Sequence, residues 1–218
     1  RDIFFGLNVQ TIGEKPYKSI TELEFEQGTR SSTVIETRAK SIGLRIFPNA
    51  PVYGGPLVGC HIGSDIAAGM ATVNFEESDK HIMLIDIGTN TEVVIGNRQH
   101  IIAASCPAGP AFEGNGIGYG MPGYDGAIEK IDITNGKVKY QTIGGIEPQG
   151  ICGSGLIDLL ANLRNNNMMN PLGVFKDKST EYQFAPKYQM SISRSDISIL
   201  AQAKSANFCG QYIALRSY

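Results

Sequence analysis

Hydrophobic positions change their rhythm several times along these 218 residues. Up to about residue 80, short apolar runs alternate with turn signals such as Gly13-Glu14-Lys15-Pro16 and Phe47-Pro48-Asn49-Ala50-Pro51. Thr33 to Thr37 has the β-branched content of a strand. Ser64 reads as the N-cap of a helix from Asp65 to Val73. Small residues in that helix (Ala67, Ala68, Gly69, Ala71) let another backbone pack closely, which suits a plain buried helix and a hinge helix equally. Ile82 to Ile85 is a continuous apolar run, the pattern of a strand covered on both faces. A polar turn leads to Val93–Asn97 and a second turn to His100–Ser105, predicting a three-stranded meander.

The rhythm then breaks. Pro107 to Gly126 is rich in Gly and Pro and predicts loop plus a short helix. Ile128–Ile133 and Lys137–Ile143 alternate around Asn135-Gly136, a hairpin signal. Helices are expected from about Ser154 to Asn165, and from the capping box Ser193-Arg194-Ser195-Asp196 to the end of the chain. No internal repeat is visible, and Asn165-Asn166-Asn167 is the one low-complexity patch.

Composition narrows the class. Hydrophobic residues make up 42% and charged residues 18%, which points to a folded domain rather than a disordered one. A net charge of -2 without a basic run provides no field for nucleic acid or anionic lipid. No secretory signal and no apolar run long enough for a bilayer is seen. Cys60, Cys106, Cys152 and Cys209 are far apart with no C-x-x-C pair, which argues against a zinc or iron–sulfur site in these residues and for a reducing compartment, the cytoplasm. The chain opens on Arg1 and closes inside a helical pattern, so it reads as a piece of something longer.

Three segments carry candidate chemistry. In Asp86-Ile87-Gly88-Thr89-Asn90-Thr91-Glu92 a carboxylate ends an apolar strand and a polar turn reverses the chain. Main-chain N–H groups in such a turn can converge on a phosphate, Gly88 leaves room for the approach, and Thr89 and Thr91 add hydroxyl donors. Asp86 would be repelled by phosphate and suits Mg²⁺ through water, making it the candidate catalytic and metal residue; an ordinary hairpin with polar turn residues has the same pattern. In Gly150-Ile151-Cys152-Gly153-Ser154-Gly155-Leu156, glycines run into a helix N-terminus. Gly153 and Ser154 there either face an anion or ribose edge or form a Gly-rich helix start capped by Ser154. Glu113, in Ser105–Gly114, either meets metal or water or is simply solvated or capping. His61, His81 and His100 are scattered, as surface or packing residues are.

Leu84–Glu92, Ala108–Gly114, Gly150–Asp158 and Ala201-Gln202-Ala203-Lys204, in this order, resemble the reductive activators of corrinoid proteins in methyltransferase systems. Phe4–Leu7, Ile12–Tyr17 and Gly63–Asp65 extend the resemblance to the whole chain. It implies an α/β actin-like ATPase (ribonuclease H-like) fold, incomplete, with parts of two lobes. Residues 1–79 would be the end of the first lobe, with 64–73 as the inter-lobe helix, and 80–218 the first part of the second, where Asp86 to Glu92 is the second phosphate loop. The implied function is ATP-dependent reduction of Co(II) to Co(I) on a partner corrinoid protein, with Mg²⁺, an electron donor, and an iron–sulfur cluster in the full-length protein only. The first phosphate loop, the adenosine-holding Gly-Gly-Phe-type segment and the iron–sulfur module of complete members do not occur in these residues. The piece alone is therefore expected neither to hydrolyse ATP well nor to transfer electrons. A small-molecule kinase of the same fold and a non-catalytic docking module are the alternatives.

Overall fold

The computed structural model describes residues 1–218 as two units. The first comprises Arg1–Asp86, Glu92–Ser105 and Ile213–Tyr218, and the second Ile87–Thr91 and Cys106–Tyr212.

The first unit opens with α1 (Gln10–Gly13) and α2 (Ile20–Glu26). A capping box starts α2: Thr21 N donates to Ser19 Oγ at 3.3 Å and Ser19 N to Glu22 Oε2 at 2.9 Å. Strands β1 (Ile35–Arg38) and β2 (Pro51–Gly54) pair antiparallel. Helix α3 spans Ser64–Val73, but its N-cap is Gly63. Ser64 is itself the first residue of the helix rather than its cap, and its hydroxyl donates to Gly55 O at 2.9 Å.

The meander forms as expected, with β3 (Ile82–Ile87), β4 (Asn90–Gly96) and β5 (Ile101–Pro107) adjacent in that order. Double-sided burial belongs to β4 rather than to β3. Val94 packs with Ile66 and Phe75, against Met70 and Val73 of α3. Val93 and Ile95 pack on the other side with Ala214 and Tyr218. Three fully buried aliphatic side chains of this size are worth about 1.5–3 kcal/mol each. Met83 and Ile87 of β3 are exposed, and β3 is an outer strand of this sheet. The small residues of α3 have a modest role: Gly69 passes close to Leu84, while Ala68 and Ala71 face solvent.

The second unit is built on β6 (Ala127–Thr134) and β7 (Lys137–Thr142). Asn135 and Gly136 both have positive φ, 50° and 73°, as the tight turn between two right-twisted strands demands. The short β8 (Gly150–Ile151) runs parallel to the start of β6. Helix α4 (Gly153–Asn165) buries Leu156, Leu159 and Leu163 against this sheet. Beyond β8, the open edge of β6 is finished by side chains of α4. Asn162 accepts from Ile133 N at 2.9 Å and donates to Ile131 O at 3.0 Å, and Asn166 donates to Ile133 O at 2.9 Å. Strands β9 (Glu181–Ala185) and β10 (Met190–Ser193) form a separate antiparallel pair, and α5 (Arg194–Ser217) follows. Its capping box is present: Asp196 N donates to Ser193 Oγ at 3.1 Å and Ser193 N to Asp196 Oδ2 at 2.8 Å. No helix is long and apolar enough to cross a membrane.

Candidate phosphate site

The turn between β3 and β4 is shorter than the sequence suggested. Only Gly88 and Thr89 lie between the strands, since β4 already begins at Asn90. Gly88 N donates to Asn90 O at 3.1 Å, and Ala108 N and Gly109 N both donate to Thr89 O, at 3.1 and 2.8 Å. These bonds clamp the tip of the turn to the segment after β5. The Thr89 N–H finds no acceptor within its unit.

Thr89 lines an open hollow of about 570 Å³, with Glu113, Gly114, Asn115, Gly116 and Ile117 among its walls. The Thr89 hydroxyl donates to Glu113 Oε1 at 2.7 Å. Glu113 closes a 3-10 turn, Pro110–Glu113, and is held there by glycine packing. Gly114 has φ +85°, and a Cβ at Gly120 would lie 2.1 Å from Gly114 O, so neither position admits a side chain without backbone movement. Behind the hollow, Asp196 accepts from Gly118 N at 3.0 Å and ties the loop to the start of α5. The Gly116 N–H has no acceptor within the unit, and the exposed Asn115 amide makes no hydrogen bond there either. Thr89 and Gly116, whose N–H groups find no acceptor within the unit, and Asn115 all line this hollow, and such donors suit an anion.

The other candidates fall elsewhere. Asp86 is exposed on β3, and its carboxylate has no hydrogen bond or ion pair within its unit. Asn90 is exposed at the start of β4. Thr91 is fully buried and its hydroxyl donates to Asn207 Oδ1. Glu92 accepts from Ser105 Oγ at 2.9 Å. Gly153 and Ser154 do not line the hollow. A Cβ on Gly153 would come within 2.0 Å of Phe112 O, while Ser154 Oγ donates to Glu129 O at 2.9 Å. Cys152, not Ser154, stands at the N-cap of α4, with no side-chain cap bond. Asn115 and Gly116 escaped notice in the sequence; the alternate glycines at 114, 116, 118 and 120 were the signal. A more apolar hollow of about 560 Å³ is walled by Phe112, Leu160 and Leu200 and holds none of the predicted site residues. All four cysteines are free, and no three His, Cys, Asp or Glu side chains gather as a metal site would require.

Residues 80–218, which include the Gly88-Thr89 turn and the walls of the hollow, match the family described as the C-terminal domain of RACo, the ASKHA domain. The chain belongs to this family. The RACo-type ASKHA domain is an actin-like ATPase fold, and the mixed α/β sheets described above are its elements. The chain is similar to the corrinoid activation enzyme RamQ of Eubacterium limosum, at 34% identity over 173 residues, covering 79% of this chain and 27% of that protein. It is 30% identical to the [Co(II) methylated amine-specific corrinoid protein] reductase of Methanosarcina barkeri, covering 58% of this chain and 31% of the relative. A solved reductive activator for corrinoid, iron-sulfur protein superposes with a TM-score of 0.84 at 34% identity, covering 99% of this chain and 36% of that one. The RACo-like chain thus spans about a third of the length of these relatives.

Proposed function

We propose that this chain is the nucleotide-binding core of an ATP-dependent reductive activator, which returns a partner corrinoid protein from Co(II) to Co(I). The observation that carries the proposal is the coincidence of the family match with the hollow: residues 80–218 include the clamped Gly88-Thr89 turn and the free amides of Thr89 and Gly116. One relative is named a corrinoid activation enzyme and another a [Co(II) methylated amine-specific corrinoid protein] reductase.

In this proposal the polyphosphate of ATP lies against the Thr89 and Gly116 amides and the Asn115 side chain. Asp86, with no partner in its unit, is available to the hydration shell of Mg²⁺, which keeps most of its water when it binds protein. When bound, MgATP supplies a phosphoryl bond whose hydrolysis can be coupled to an uphill electron transfer. The chain's own residues hold the phosphates and close the site. A nucleotide drives a conformational change only through its preference for one state, so differential grip across the parent protein's cleft would supply the coupling. Residues 1–79 would be the end of one lobe, with α3 between lobes, and 80–218 the start of the second. The iron–sulfur cluster and the electron donor's docking site would belong to other parts of the full-length protein. Four unpaired cysteines suit the cytoplasm as its compartment.

The test is spectroscopic. The full-length protein, a reductant and the Co(II) corrinoid partner should produce the Co(I) spectrum with MgATP and not without it. Equal reduction with and without nucleotide would refute the proposal, as would failure of the protein to bind MgATP in a titration.

A further inference from the structure

We propose that Glu113 is a catalytic residue that holds the water attacking the terminal phosphoryl group, an inference that rests on the hollow being the phosphate site. The Thr89 hydroxyl has one hydrogen, and it is given to Glu113 Oε1 at 2.7 Å. The Thr89 hydroxyl therefore has only lone pairs left to offer, and a carboxylate likewise only accepts. The sequence suggested Thr89 as a donor to phosphate; with its proton committed to Glu113 it cannot fill that role. Two adjacent acceptors repel a phosphate oxygen but match a molecule with two protons to give.

Donors for an anion belong to residues that line the same hollow, the N–H groups of Thr89 and Gly116, which have no acceptor within the unit. The hollow thus offers seats of opposite character for the two reactants of hydrolysis. Glu113 is also well placed to hold position. Its turn is fixed by the Gly114–Gly120 contact, and Thr89 by the two amides on its carbonyl. Glu113 Oε2 has no partner within the unit, so one carboxylate oxygen orients Thr89 while the other is free for water. In the step proposed, the water oxygen bonds to the terminal phosphorus and the phosphorus–oxygen bond to the leaving diphosphate breaks. The water proton passes to Glu113 and then to solvent, leaving nucleoside diphosphate and inorganic phosphate.

The experiment compares wild-type full-length protein with Glu113→Gln and Glu113→Asp, measuring MgATP dissociation constants and single-turnover hydrolysis across pH. Glu113→Gln should slow hydrolysis by roughly a hundredfold or more and abolish the acid limb of its pH profile, because the amide cannot take the proton. Its MgATP affinity should stay within about threefold of wild type, the signature of a group acting in the transition state rather than in binding. Glu113→Asp should recover part of the rate. Unchanged hydrolysis in Glu113→Gln would overturn the inference while leaving the nucleotide site standing. A loss of affinity of more than about tenfold, with a raised Mg²⁺ requirement, would overturn it in favour of a cation-holding role. Wild-type protein that does not bind MgATP at all would sink the phosphate site itself, and this inference with it.

Discussion

Thr91 on β4 and Asn207 on α5 meet inside the second unit, where the buried hydroxyl of Thr91 donates to Asn207 Oδ1 across 116 residues of sequence. The Asn207 amide is oriented by its own bond to Ala203 O at 2.9 Å, so the acceptor facing Thr91 is fixed. Thr91→Val keeps the shape and orphans that acceptor. Stability should fall by about 1–3 kcal/mol in urea denaturation. MgATP affinity of the full-length protein should be unchanged, since a buried hydroxyl already committed to Asn207 is not available to a ligand. A large affinity loss with normal stability would instead make Thr91 a ligand.

The Asp86 side chain makes no hydrogen bond or ion pair within its unit, so removing its charge should spare the fold. Asp86→Asn is expected to leave the circular dichroism spectrum and melting temperature as they are. It should weaken MgATP binding by roughly tenfold or more, in line with the 1–3 kcal/mol typical of a charged hydrogen-bond partner. The same affinity in both proteins would take Asp86 out of the site.

Gly153 and Ser154 separate packing from ligand binding. Gly153→Ala places a Cβ against Phe112 O at 2.0 Å, and either the start of α4 or the turn bearing Glu113 must move. The expected loss is about 1–3 kcal/mol or more. Ser154→Ala forfeits only the bond to Glu129 O, about 0.5–1.5 kcal/mol. Melting temperatures in this order, without an affinity change for Ser154→Ala, would assign both residues to the scaffold; an affinity loss for Ser154→Ala would return it to the list of ligands.

Cys60 should resist alkylation. Burial raises its pKa, the negative charges of Glu22 and Asp2 add to the rise, and a Ser19 backbone hydrogen bond opposes it only in part. At mildly alkaline pH, iodoacetamide should label the exposed Cys209 before Cys60, because the thiolate is the nucleophile. A proton held more tightly in the folded state stabilises fully below the ordinary thiol range, and that contribution is lost as pH rises through the raised value. Cys60→Ala should therefore remove part of the stability decline between neutral and strongly alkaline pH, read from urea midpoints.

Much of the fold was legible because local chemistry dictated it. Asn135-Gly136 could only turn tightly, Ser193 and Asp196 could only cap, and the leucines of α4 have helical spacing. The misreadings came where a distant partner decided the outcome. Ser64 is the first residue of α3 and leaves the cap to Gly63, and β3, whose apolar run suggests cover on both faces, leaves Met83 and Ile87 exposed. Asn166 belonged to an apparently featureless asparagine run, yet it completes the edge of β6, which no local pattern discloses. For the site, the turn and Glu113 were visible as motifs. That the Thr89 hydroxyl points its proton at Glu113 depends on packing between segments 24 residues apart.

The exposed Met83 and Ile87 have a practical consequence. They stand on the border of a sheet whose outer main-chain groups can template an additional strand from any extended peptide, including another copy of the same segment. Handled alone at high concentration, these 218 residues will tend to self-associate along that border, and a net charge of only -2 provides little repulsion to prevent it. A lysine at either position would act as a gatekeeper and keep the polypeptide dispersed long enough to study.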